Sequence, residues 1–272
     1  MKKKVLIALL VVAIISVSVM AFAGCDNKVK VGFQAGTTGQ FYTEDYINLK
    51  PMTYTNAALA VEDMVAGRIK YVITDIAPAK SIASLDKYKD KVKVIDIGLT
   101  DEFYCFAVNK GRDDLKSQLN EFMTNNEQKL KDLQIAYIAG TNEQKTIVSG
   151  DEKADNALIV ATSADFPPFE YTVGNFYAGY DLEVMQMFCE AYNYQLVIKN
   201  MSFDAIVNYV NLGSAHIGAA ALTWSEERAK NVNFSERYYD ATQVIICMAD
   251  DTTFDDCKSR EDVEAILNSL KK

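Results

Sequence analysis

Short apolar runs of strand length alternate with helix-length segments along the chain, and no other feature restricts the fold as much. Val29–Phe33, Met52–Tyr54, Tyr71–Thr74 and Val92–Ile97 read as strands, separated by helices at Ala57–Ala66, stopped by Gly67, and Pro78–Leu85. The pattern returns with strands at Leu158–Thr162, Gln195–Lys199 and Ile217–Ala220. Helices are expected at Asp181–Tyr192, with Leu182, Met185, Cys189 and Tyr192 on one face, and at Phe203–Asn211. Alternation of this kind predicts an α/β fold with largely parallel sheets, whose ligands gather beyond the carboxyl ends of the strands. Between Gly140 and Asn156 the pattern lapses into polar residues, which reads as a linker.

The N-terminus reads as an export signal. Lys2, Lys3 and Lys4 precede an apolar run that begins at Val5 and is short for a membrane span. It ends in Phe22-Ala23-Gly24-Cys25, which resembles a lipobox in which Cys25 receives the lipid. Ordinary secretion or an uncleaved anchor are the other readings. Removing residues 1–24 takes three lysines and no acids. The 28 basic residues become 25 against 37 acidic ones, a net charge near −12. An acidic chain argues against nucleic acid or anionic lipid as partner. Cys105, Cys189, Cys247 and Cys257 show neither Cys-x-x-Cys nor zinc spacing, so disulfides and buried thiols both stay open.

Four segments carry side chains suited to a binding site. Gly36-Thr37-Thr38-Gly39 follows the first strand and can point backbone N–H groups and hydroxyls at an anion, or can serve only as a turn. Asp75, at the end of Tyr71–Thr74, can accept from an ammonium group or cap the following helix. Ser163 to Tyr171 is a proline-stiffened turn in which Phe166 forms an aromatic wall or packs in the core. Arg228 follows Ser225 in what reads as a first helical turn, where a cation opposes the helix dipole. It grips a carboxylate or is simply solvated.

Together these segments resemble the family 3 extracellular solute-binding proteins, the polar amino-acid receptors of ABC importers. VATSADFPPFEY, GYDLEVM, MSFDAIV and LTWSEERAKNVNFSERYY are similar to that family's first lobe. VKVGFQAGTTGQFY, AVEDMVAGRIKYVITDIAPAK and FYCFAVNKG are similar to its second lobe and return crossing. The resemblance implies a two-lobed, periplasmic-binding-protein-like type 2 fold. Residues 25–105 plus 241–272 would form one lobe and 106–240 the other, with the linker at 140–156. Hinge strands would lie near Tyr104–Val108 and Asp240–Ile245.

The segments stand in an unusual order, because the GTTG segment precedes the first-lobe segment. Joining Lys272 to Lys28 would restore the family's order, which implies a natural circular permutation. The alternative is a remnant of two fused receptors, pairing within one chain or between chains.

Carried over residue by residue, the resemblance gives Arg228 the ligand α-carboxylate, helped by Thr223, Thr37 and Thr38. Asp75 takes the α-ammonium, and Phe166 and Phe203 cover the side chain. Gln34, Ser163, Thr74 and Ala221 line the pocket. Asp165 and Glu170 leave room for a cationic ligand side chain, and Trp224 either lines the pocket or packs behind it. Lys70 and the single histidine, His216, stand where the family usually has Asp, and both are expected to be structural. No cofactor or metal is implied. The expected partners are an amino acid, an importer permease and the membrane through a lipid on Cys25, outside the cytoplasmic membrane. A sensor for a membrane partner is a second reading. A dehydratase-like enzyme on the same fold is a third, against which stands the lack of any Ser/His/Asp or Cys/His arrangement.

Overall fold

The computed structural model describes residues 28–46, 48–143 and 145–270; the leader and Cys25 lie outside them. Its strands gather into two five-stranded sheets, one per lobe. In the GTTG lobe, β1 (Val29–Gln34), β2 (Leu49–Tyr54) and β3 (Tyr71–Asp75) run parallel. Between them lie α1 (Thr38–Glu44) and α2 (Ala57–Val65); α3 (Ile76–Ser84) leads on to β4 (Val92–Ile95). Asn56 caps α2 by accepting from the Leu59 N–H at 2.9 Å.

Two crossings tie this lobe to the next. The outbound strands are β5 (Glu102–Tyr104) and β6 (Ala107–Val108). The helices α4 (Asp113–Asn125) and α5 (Glu127–Ala139) follow, joined at Asn126, and α5 ends at Gly140 in the left-handed conformation that favours glycine. The second lobe, called the arginine lobe because it carries Arg228, then builds its parallel strands, β7 (Ala157–Thr162), β11 (Gln195–Asn200) and β12 (Ile217–Gly218). A small antiparallel sheet of β8 (Asp165–Phe166), β9 (Glu170–Val173) and β10 (Phe176–Ala178) lies beside them. The helices α6 (Tyr180–Ala191), α7 (Phe203–Asn211) and α8 (Glu226–Ala229) complete the lobe, with β13 (Asn233–Phe234) at its edge. The chain returns through β14 (Tyr239–Ala241) and β15 (Gln243–Met248) to α9 (Arg260–Ser269).

Each sheet therefore takes one antiparallel strand from beyond a crossing. β15 lies between β3 and β4, and β6 lies between β12 and β13. At the waist, β5 pairs with β14 as a two-stranded ribbon, Tyr104 opposite Tyr239 and Glu102 opposite Ala241. The lobes are joined by these two strand connections and touch where Ala77 of α3 packs into the core of the other lobe, and two connections of this kind are the geometry of a hinge.

Several sequence expectations change in detail. The strand expected at Ile217–Ala220 ends at Gly218, although the Ala219 N–H still donates to the Ala161 carbonyl at 2.9 Å, and beyond it Ala221 adopts a left-handed φ of 46°. The helix expected from Pro78 begins at Ile76, and the strand at Val92 ends at Ile95. The polar stretch 140–156 lies against the arginine lobe. Ile147 is buried and bridges Tyr177, the Gly150 N–H donates to Leu196, and Ser149 hydrogen-bonds the Ile198 backbone. Cys105, Cys189, Cys247 and Cys257 are free thiols. His216 accepts from the Ile159 N–H through Nδ1 at 3.0 Å, a backbone brace between neighbouring strands. Lys70 pairs with the buried Asp251.

Candidate functional site

Where the lobes face each other, nine side chains enclose one small cavity: Gln34, Thr37, Thr38, Asp75, Phe166, Phe203, Ala221, Thr223 and Arg228. All nine belong to the residues the sequence singled out, and they come from both lobes. Most stand at or just beyond strand ends or at helix starts, the positions expected to point into the cleft. Ser163 and Thr74 are buried but do not line the cavity. For Thr74 the cause is strand alternation. Tyr71 and Ile73 pack toward α9 and Val72 toward α2, so Thr74 shares the face of Val72 and Asp75 the other. Ser163 instead donates to Asp165 at 3.1 Å.

Arg228 is the cation of the site. Ser225 caps α8 by accepting from the Arg228 N–H, which settles the short helix and aims the side chain back across the cleft. The guanidinium donates to the Thr223 carbonyl at 2.5 Å and to the Gly36 carbonyl, on the opposite lobe, at 2.9 Å. It also lies over the Phe203 ring at 5.4 Å. Burial lowers its pKa, while Glu102 and Asp75 pull it back up.

Asp75 sits at the position that would cap α3, yet its side chain makes no capping bond. The carboxylate takes the Tyr104 hydroxyl at 2.6 Å. Burial first, then the negative charge of Glu102, raise its pKa to about 7. Gln34 is buried. Among the described residues its amide has no hydrogen-bond partner of normal geometry, although it lies close enough to Asp165 to favour that carboxylate's charged form. Such an orphaned amide in a cavity wall is a ready partner for a polar ligand group.

Glycine lets the lobes meet. A Cβ on Gly36, whose φ is +76°, would fall 2.9 Å from Cβ of Asp204 in α7 across the cleft. The cavity holds about 10 Å3 in this closed arrangement, close to the room of one water. A solute of amino-acid size therefore enters only with the lobes parted.

Three residues at the site were not anticipated: Glu102, Tyr104 as a hydrogen-bond donor, and Gln243. All three lie on the crossing strands. Glu102 directly precedes a proposed hinge, and an acid at a crossing was the available signal. Trp224 stays outside the cavity, partly exposed and stacked on Phe103 at 5.9 Å. Glu170 is fully buried behind Phe166, with no hydrogen-bond partner for either carboxylate oxygen among the described residues. Burial, then Asp181, push its pKa well above the usual carboxylate range. No group of three or more metal-ligating side chains occurs among the described residues.

Residues 158–272 match the model of the bacterial extracellular solute-binding proteins, family 3. The arginine-binding extracellular protein of Bacillus subtilis is 31% identical over 102 residues, 38% of this chain and 40% of that protein. A probable histidine-binding protein of Neisseria gonorrhoeae is 32% identical over 89 residues, 32% of this chain and 33% of that one. The chain thus spans well under half the length of these curated relatives. Among solved structures, an arginine-binding protein of T. maritima aligns over 90% of this chain and 87% of its own, at 14% identity and a TM-score of 0.46.

Proposed function

We propose, taking as premise that residues 158–272 belong to family 3 of the bacterial extracellular solute-binding proteins, that the chain captures an amino acid between its lobes for an ABC importer. The observation that carries this reading is the convergence of one cation, one buried carboxylate and an aromatic pair on one interlobe cavity. A zwitterion needs a cation and an anion in one place. Arg228 holds the α-carboxylate, Asp75 the α-ammonium, and Phe166 and Phe203 flank the side chain. Ligand contacts to both lobes form together only on closure, and that differential affinity drives the hinge. Polar or charged amino acids fit best; relatives named for arginine and histidine binding support this. The Cys25 lipid anchor, export and the absence of catalysis belong to the same proposal. A thermal-shift screen of residues 26–272 against the standard amino acids tests it. A ligand at ~100 times its dissociation constant adds about 2.7 kcal/mol, a shift of a few degrees. A folded chain that responds to none of them removes the reading in favour of another solute or an enzyme.

The reading includes a circular permutation. The two ends of the described chain share one core, where Val29 and Val31 pack with Val263, Leu267 and Leu270. The Asn48 amide donates to the Asn268 carbonyl at 2.8 Å. A variant joined from Leu270 to Lys28 and reopened within 140–156 is expected to bind its amino acid within about threefold of the original. A joined chain that does not fold favours the alternative of two fused remnants.

A further inference from the structure

Glu102 lies where the hinge meets the cleft, and its carboxylate already has partners. Oε2 accepts the Thr38 hydroxyl at 2.7 Å from the GTTG lobe and the Thr223 hydroxyl at 2.8 Å from the arginine lobe. Oε1 accepts from Thr100, which fixes the carboxylate's orientation. Gln243 donates to Thr38 at 2.9 Å and approaches Oε2 at 3.5 Å. One carboxylate oxygen thus joins a hydroxyl from each side of the cleft.

Thr38 and Thr223 both line the cavity, beside Arg228. Each hydroxyl carries one hydrogen, so a hydroxyl that donates to Glu102 cannot donate to a ligand carboxylate. Glu102 also acts electrostatically on Arg228 and Asp75, so a second carboxylate brought to Arg228 meets a like charge in a partly dewatered cleft. We propose that Glu102 is a resident carboxylate that clasps the two lobes through Thr38 and Thr223 and competes with the carboxylate of an incoming amino acid. It stabilises the closed arrangement, and a ligand must displace that contact before it can take the two hydroxyls. Affinity for any carboxylate-bearing ligand is lowered by that competition. A ligand lacking the carboxylate leaves the clasp in place. This inference rests on the amino-acid reading for its ligand arm, but not for the clasp itself.

Titration calorimetry with L-arginine and with its decarboxylated amine, agmatine, compares the chain with Glu102→Gln. The ratio of the arginine to the agmatine dissociation constant is expected to fall at least tenfold in the variant, because only arginine carries the competing carboxylate. An unchanged ratio, or weaker arginine binding relative to agmatine, overturns the competition. Small-angle scattering of the unliganded proteins reads the clasp without any ligand. Glu102→Gln, and independently Thr38→Val, are expected to show a larger radius of gyration than the parent; identical radii from folded variants overturn the clasp. If neither arginine nor agmatine binds the parent chain, the ligand assignment fails for arginine, and scattering still decides the clasp.

Discussion

Replacing Arg228 with alanine is expected to weaken amino-acid binding by two to three powers of ten while the chain stays folded. Among the described residues, the guanidinium is the one basic group lining the interlobe cavity. Removing one partner of a buried charge pair strands the other at a cost of about 3–5 kcal/mol. Part of the loss comes from closure itself, because Arg228 also donates to Gly36 on the opposite lobe. Lysine should recover little, since a point ammonium cannot reproduce the fork that reaches two carbonyls and a carboxylate together. α8 has no buried residue and its cap uses the Ser225 hydroxyl with the Arg228 N–H, so the alanine variant keeps its helix start. Titration calorimetry checks the result, and a variant within threefold of the parent would remove Arg228 as the carboxylate anchor.

Acidification should move stability and affinity in opposite directions. Burial raises the pKa of Asp75 and of Asp181 from 3.8 to about 7, and that of Glu170 in the same direction. Between the unfolded and folded values the native chain binds more protons than the unfolded one, so native stability increases as pH falls through that window. From pH 8 to pH 5 the unliganded chain should therefore gain thermal stability, by at least a few degrees. Ligand binding needs the Asp75 charge. Below about pH 7 each further unit should cost about tenfold in affinity, near a hundredfold by pH 5. Asp75→Asn should bind about a hundredfold more weakly at pH 8 and lose most of the pH dependence of binding. Affinity that holds steady from pH 8 to pH 5 in the parent chain would show that Asp75 does not meet the ammonium.

The layered α/β plan was legible because apolar runs of strand length, such as Val29–Gln34 and Tyr71–Asp75, need no tertiary information to stand out. Thr37, Thr38, Asp75, Phe166, Thr223 and Arg228 stood out in segments that follow those runs, whereas Gln34, Phe203 and Ala221 were reached only through the resemblance to the solute-binding family. Misplacement began where three-dimensional context decides. Thr74 looked equivalent to Asp75 until the face of β3 was fixed by its neighbours. The stretch 140–156 looked like a tether because Ile147, its buried anchor, is a lone apolar residue among polar ones. Glu102 could be noticed only as an acid at a crossing; its partners Thr38 and Thr223 lie 64 and 121 positions away, so its place in the site was not legible. β12 stops at Gly218, and beyond it Ala221 is left-handed, a conformation that alanine does not advertise.

Capture of an amino acid between the lobes is decided by titration calorimetry of residues 26–272 with the standard amino acids in turn. Saturable binding of at least one polar or charged amino acid is expected, with one molecule per chain, and its loss in Arg228→Ala. A folded chain that gives no binding heat with any amino acid, or one whose binding survives Arg228→Ala unchanged, would contradict it.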